Sequence, residues 1–258
     1  MKVAIFAGGK GTRISEESHL RPKPMVEVGG RPILWHIMQL YAAQGFHEFV
    51  VCLGYKSWVI KEYFLNYHYH HADLTVAVGT GGVTVHQGGT DAFTVTLVET
   101  GEETQTAGRL KRIQPYLGND PFMLTYGDGV SDLNLHALLA FHQQHGRTAT
   151  LTAVQPGSRF GVFEPEPDGR VAQFREKPQD DGNWINGGFF VLNPDVFDYI
   201  APGADDMPWE RQPLSDLASA GQLHAYRHLG FWKCLDTLRD AQELNALWHS
   251  GHAPWKTW

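Results

Sequence analysis

Residues 4–34 read AIFAGGKGTRISEESHLRPKPMVEVGGRPIL. The apolar run from Val3 to Ala7 breaks off into Gly8, Gly9, Lys10, Gly11, Thr12 and Arg13, as a buried strand does when it opens into a loop. Three glycines in four positions let the backbone approach an anion closely and direct successive N–H groups at it. Lys10 and Arg13 add positive charge. Neither familiar glycine-rich fingerprint fits. A dinucleotide GxGxxG starting at Gly9 and Gly11 meets Ile14 where the third glycine belongs, and a Walker A loop needs Ser or Thr after its lysine, where this chain has Gly11. Further on, RPKPM at residues 21–25 sets Lys23 between two prolines that restrict the backbone on either side. A cation held beside a phosphate loop points to polyphosphate chemistry.

The rest of the chain bounds that reading. At 258 residues it is long enough to bury a core as one α/β domain. A formal charge of −7 argues against nonspecific nucleic-acid binding through a basic surface, so an anionic substrate must be met by a local cluster. No stretch approaches eighteen consecutive apolar residues, and the Met-Lys start lacks a signal-peptide core. The expectation is a soluble, cytoplasmic protein with neither a membrane nor a nucleic acid as partner. Cys52 and Cys234 lack CxxC spacing and are expected as reduced core thiols.

Apolar periodicity predicts a helix over 31–45, a strand over 49–53, a helix from Ser57, taken as its cap, to about Tyr69, and strands over 122–126 and 148–155. Strand, helix, strand, helix implies a doubly wound, mostly parallel, Rossmann-like α/β sheet that gathers ligands at the carboxyl ends of its strands. Residues 74–98 alternate around glycines and read as a hairpin excursion. Beyond Gly146 the chain becomes β-rich, with strands over 159–164, 170–177, 184–193 and 223–229 and helices over 209–220 and 237–248. The expected organisation is a single domain over 1–258, with a nucleotide-binding part at about 1–146 and a second part at 147–258. His68, Tyr69, His70 and His71 show no metal-ligand spacing and read as solvated surface.

Individual residues carry chemistry. Asp128, between Gly127 and Gly129 at the carboxyl end of a strand, is suited to hold hydrated Mg²⁺ against a phosphate, with Asp132 close by. Asn186, Gly187 and Gly188 interrupt an apolar strand, which signals a bulge or a close ligand. Glu176 and Lys177 alternate on a strand and point to opposite faces unless it bulges. Asp236 stands where it would cap the last helix.

AGGKGTR followed by RPKPM closely resembles the signature of the sugar-nucleotide pyrophosphorylases, which join a sugar 1-phosphate to a nucleoside triphosphate. KPMVEVGGRPILWHIM, TAGRLKR, TYGDGVSDL, FREKP, INGGFFVLNP, FW with LDTLRD, and APWKTW also have counterparts in that family, so the resemblance runs from end to end. It implies a sheet of the nucleotidyltransferase type with a β-rich sugar-binding part, Mg²⁺ as cofactor, CTP and glucose 1-phosphate as substrates, and a homo-oligomer. The nucleotide falls to Ala7, Gly8, Gly9, Lys10, Gly11, Thr12, Arg13, Lys23 and Gly127, with Arg13 and Lys23 catalytic. The base falls to Thr104, Thr106, Gly108 and Arg109, where relatives using dTTP or UTP carry a glutamine-containing segment. Arg109 could donate to the O2 of cytosine or pair with a phosphate. The sugar phosphate falls to Gly161, Glu176, Lys177, Asn186, Gly187 and Trp232, and the metal to Asp128 and Asp236, where ligation and capping can coincide. The same chemistry with UTP, dTTP or another hexose 1-phosphate stays open, as does a noncatalytic sugar-nucleotide sensor. The implied product would feed deoxysugar biosynthesis for a surface polysaccharide or a glycosylated metabolite.

Overall fold

A strand covered on both faces must be apolar along its whole length, and Val3, Ala4 and Ile5 are completely buried in the computed structural model. The structure describes residues 1–11, 21–70, 72–88, 91–155, 162–165, 171–175 and 184–258. In chain order, β1 (Lys2–Phe6) is followed by a 3₁₀ turn (Lys23–Met25) and a small ladder of β2 (Glu27–Val28) with β3 (Arg31–Pro32). Then come α1 (Ile33–Ala42), β4 (Glu48–Leu53), α2 (Ser57–Leu65), α3 (Tyr67–His70), the hairpin β5 (Ala72–Ala77) and β6 (Gly82–Gly88), β7 (Thr94–Glu99) and α4 (Thr106–Leu117). Next are β8 (Phe122–Tyr126), β9 (Gly129–Ser131), α5 (Leu135–His145), β10 (Ala149–Val154), β11 (Val162–Pro165), β12 (Val171–Arg175) and β13 (Ile185–Leu192). The chain continues through α6 (Gln212–Ser219), β14 (Leu223–His228), β15 (Trp232–Cys234) and α7 (Leu238–His249).

Among the described residues, seven strands form the central sheet in the order β14-β10-β13-β8-β1-β4-β7. All run the same way except β13, which is antiparallel to both its neighbours. Alternation along the strands divides the core into two layers. Val3 and Ile5 pack with α1, the start of α5 and α7, while Ala4 and Phe6 pack with α4, Trp209 and Leu217. The expected doubly wound, mostly parallel sheet is therefore present. From β1 the chain steps outward to β4 and β7, then α4 returns it to β8 on the other side of β1. That reversal opens a crevice at the carboxyl ends of β1 and β8, the place where such sheets bind ligands.

Several sequence expectations are corrected. The hairpin excursion ends at Gly88, and Thr94–Glu99 is an edge strand of the main sheet, paired along its length with β4. Its side chains are mostly half-buried, so it lacks the continuous apolar run of a central strand. Ser57 is not a cap: its hydroxyl donates to Glu99 Oε1, and the residue before it, Lys56, takes the left-handed conformation. The helix expected over 209–220 starts at Gln212, with Pro213 in its first turn, where the missing N–H costs nothing. Among the described residues no helix is long and apolar enough to cross a membrane.

Candidate nucleotide-binding site

A cleft of about 420 Å³ lies at the carboxyl ends of β1 and β8, lined by Phe6–Gly11, Lys23, Pro24, Glu102–Thr106, Arg109 and Tyr126–Asp128. Its floor is built on Arg109. The residue is 4% exposed, and its guanidinium donates to the carbonyls of Leu53, Gly8 and Glu102 and to the Thr100 hydroxyl at 2.8–3.2 Å. Its terminal nitrogens thus tie the ends of β1, β4 and β7 together. Burial lowers the Arg109 pKa, yet arginine remains a cation at neutral pH. A β-carbon on Gly8 would lie 2.1 Å from Arg109 Nη1, and one on Gly54 would lie 2.5 Å from it. Among the described residues, a β-carbon on Gly9 would meet nothing within 4 Å. Gly8 therefore lets the brace pass beneath the loop, and Gly9 faces open cleft. Lys10 reaches across the mouth to Glu103, 2.6 Å away.

The amino end of α4 is partly occupied by the chain itself. Gln105 N–H donates to Asp205 O at 2.6 Å and Ala107 N–H to Met207 O at 3.0 Å, so two of its terminal N–H groups are engaged by protein. The Thr106 hydroxyl donates to Glu210 and accepts from Trp209 N–H. Thr104 is buried on the cleft wall, and Gly108 leaves room for Thr104 and Asp205, which a β-carbon would approach within 2.7 and 2.8 Å.

Opposite the loop, Lys23 Nζ is 2.6 Å from Asp128 Oδ2 and 2.5 Å from Asp236 Oδ1. These partners are 105 and 213 residues away in the chain. The ladder of β9 with β15 brings them together: Gly129 pairs with Cys234, and Leu235 N–H donates to Asp128 O at 2.8 Å. Gly127 completes the approach, because a side chain there would strike Phe6 O at 2.8 Å and Pro24 at 3.1 Å. Burial alone would depress the lysine, but the two carboxylates outweigh it and hold the Lys23 pKa above its ordinary value. Cys234 Sγ lies 3.5 Å from Asp236 Oδ2, and burial together with that charge pushes its thiol up to about 12. Both cysteines are free, as expected.

Asp236 is not the cap of α7. Thr237 is, with Asp240 returning the bond in a capping box, so the Asp236 carboxylate is left to face Lys23. Asp132 is elsewhere, 2.9 Å from His228 Nε2. Outside the lining of this cleft, β13 bulges against β10, as the glycines implied. Trp232 Nε1 donates to Gly187 O at 2.7 Å, and Asn186 Oδ1 accepts from Gly188 N–H at 2.9 Å. A β-carbon on Gly188 would be 2.4 Å from the Tyr126 ring, whose hydroxyl donates to Glu210. Burial, then Glu210, raises the Tyr126 pKa. Sequence reading passed over Tyr126 and Glu210; the position of Tyr126 as the last residue before Gly127 was the available signal. Thr12, Arg13, Gly161, Glu176, Lys177 and His71 lie outside the described residues. Among the described residues no group of three or more His, Cys, Asp or Glu side chains could hold a metal ion.

A glycine-rich loop, a lysine and two carboxylates meet at the switch point of a doubly wound sheet, where α/β proteins that handle nucleotides bind them. The nucleotidyl transferase family model matches residues 2–248, and the chain belongs to that family. Over the full length of both chains it is 52% identical to the glucose-1-phosphate cytidylyltransferase of Salmonella typhi, and equally to that of Salmonella typhimurium (strain LT2). In three dimensions it is similar to HddC from Yersinia pseudotuberculosis, with a TM-score of 0.69 and 21% identity, covering 96% of this chain and 99% of that one. That likeness is one of fold.

Proposed function

We propose that the chain transfers the cytidylyl group of CTP to α-D-glucose 1-phosphate, giving CDP-glucose and pyrophosphate. The observation that carries this reading is the convergence of Lys23, Asp128 and Asp236 beside the open Gly9 backbone, at 2.5–2.6 Å from the lysine. The extent of identity to the named Salmonella enzymes supports the choice of substrates.

A phosphate oxygen of the sugar phosphate attacks the α-phosphorus in line. The bond from that phosphorus to the oxygen bridging the β-phosphate breaks, and its electron pair leaves with pyrophosphate. The nucleophile is already an anion, so no general base is needed, and catalysis rests on alignment and charge neutralisation. The Gly8–Gly11 backbone holds the triphosphate and Lys23 holds the α-phosphate. Thr104 and the neighbouring rim bound the base, with Arg109 fixing the floor below them. Asn186, Gly187 and Trp232 face the sugar. Arg13 at the leaving group and Lys177 at the sugar phosphate rest on the family resemblance, as do Gly161 and Glu176.

Asp128 and Asp236 fit a hard divalent cation, because both supply oxygen and both already converge on one cation, the lysine ammonium. Mg²⁺ held by them would neutralise charge on the phosphates, with phosphate and water oxygens completing its shell. The enzyme is placed in the cytoplasm, where its phosphorylated substrates are retained, and as a homo-oligomer. Val76 and Val78, 53% and 90% exposed on the β5–β6 hairpin, favour the latter, which light scattering tests.

Pyrophosphate release with glucose 1-phosphate and Mg²⁺, compared across CTP, UTP, dTTP, ATP and GTP, tests the reading. Release confined largely to CTP is expected. Release with UTP or dTTP instead would retain the chemistry and discard the cytosine assignment. Arg13→Ala should lower kcat by about a hundredfold with an unchanged Tm; a near-normal kcat would remove Arg13 from the leaving group.

A further inference from the structure

One ammonium stands between the two carboxylates that the proposed function gives to the metal. We infer that Lys23 excludes free divalent cations from Asp128 and Asp236, so that metal enters only together with the triphosphate, which draws the lysine away. This rests on the reading of those two aspartates as metal carboxylates.

The lysine is a stiffly mounted competitor. Its side chain is 11% exposed, prolines flank it, and the 3₁₀ turn is closed by Met25 N–H donating to Pro22 O at 2.8 Å. Tethering gives its charge a high effective concentration at the carboxylates, which a free ion must overcome. A small divalent ion has little with which to do so. It dehydrates reluctantly and is usually held by one or two carboxylates plus substrate phosphates, and among the described residues no third His, Cys, Asp or Glu side chain completes a metal site here. A triphosphate changes both sides of the competition. Lys23 and Asp128 line the same cleft as Gly8–Gly11, so phosphates seated there offer the ammonium new anionic partners and the metal further oxygens. The lysine and the metal exchange places, and the order of binding follows from the geometry.

Titration calorimetry with Mn²⁺ on the nucleotide-free protein tests this. Wild type should bind Mn²⁺ weakly. Lys23→Met should bind it at least about tenfold more tightly, the scale of removing one close charge partner, and Mn²⁺ should raise the Tm of that variant. Lys23→Arg, which keeps the charge, should exclude Mn²⁺ as wild type does, and adding Asp128→Asn to Lys23→Met should abolish the gained site. Lys23→Gln repeats the measurement with another neutral side chain should the methionine variant not fold. Equal Mn²⁺ affinity in wild type and the neutral variants would overturn the inference. The electron paramagnetic signal of protein-bound Mn²⁺ in the presence of CTP, without sugar phosphate, separates the two readings. If Asp128→Asn abolishes it while Lys23→Met shows no gain, only the role of the lysine fails. If Asp128→Asn leaves it intact, the metal assignment fails and the inference with it.

Discussion

Gly8 and Gly9 are neighbours that lack a side chain for opposite reasons. At Gly8 the missing atom makes room for protein, since a β-carbon would press on the Arg109 guanidinium from 2.1 Å. That guanidinium cannot move aside without giving up its hydrogen bonds to Leu53 O, Gly8 O, Glu102 O and the Thr100 hydroxyl and leaving its own buried N–H donors unpaired. At Gly9 no described residue comes within 4 Å of that position, and the proposed function fills it with phosphate. Gly8→Ala should therefore cost roughly 2–4 kcal/mol of stability. Gly9→Ala should leave the Tm unchanged and weaken CTP binding about tenfold or more, because a methyl group stands where the anion approaches. Thermal melts with a CTP titration of each variant check this; equal losses of Tm, or CTP affinity unaltered by Gly9→Ala, would contradict it. In the sequence both residues belong to one glycine-rich loop. Their division of labour was illegible because it is set by Arg109, 101 residues away from Gly8.

At the scale of elements, α7 positions Asp236 through its first turn. Asp240 Oδ2 accepts from the N–H groups of Asp236 and Thr237 and from the Thr237 hydroxyl, and Oδ1 is 3.2 Å from Lys233 Nζ. Burial opposes the charge, but Thr237 and Lys233 outweigh it and hold the Asp240 carboxyl below the usual range. Asp240→Asn should cost about 1 kcal/mol as a weakened cap and raise the KM for Mg²⁺ about tenfold, as loss of a group orienting a metal ligand does. Activity titrated with Mg²⁺, set beside the Tm, distinguishes the two effects: a lower Tm with unchanged Mg²⁺ dependence would leave Asp240 a cap and nothing more. Much of this scale was legible in sequence. β1, β4 and β8 are short apolar runs whose burial admits no other reading. β7 was misjudged because an edge strand is covered only in part. The meeting of Lys23 with both aspartates was hidden because it depends on the three-residue strands β9 and β15, too short to leave a pattern. Asp236 looked like a cap because aspartate and threonine are both good caps and stand side by side.

The whole molecule is closed by its carboxyl-terminal segment, which reaches back to the Lys23 region. Asn245 accepts from Gly29 N–H at 2.8 Å, Trp248 lies where a Gly29 side chain would be, and Trp255 is completely buried. His36 is the hinge pin of this packing. A carbonyl only accepts and an indole N–H only donates, so Nε2–H of His36 gives its proton to Val28 O at 2.7 Å while Nδ1 accepts from Trp255 Nε1 at 3.3 Å. Only the neutral ring can do both. Burial, with Arg31 and Lys256 nearby, lowers its pKa from 6.5 to about 4. The unfolded chain therefore binds the proton first as pH falls. The stability held by neutral His36 is fully present above pH 6.5 and is lost progressively down to about pH 4, on the order of 3 kcal/mol in all. His145, lowered to about 4 chiefly by burial, adds a loss of the same sign. Tm should be level above pH 6.5 and fall below it, and His36→Gln, neutral throughout, should fall less steeply. Because protonation of the ring releases the Trp255 indole before the sheet gives way, the tryptophan fluorescence of wild type should shift ahead of global unfolding. Parallel Tm curves for the two proteins would show that the ring titrates without bearing on the fold.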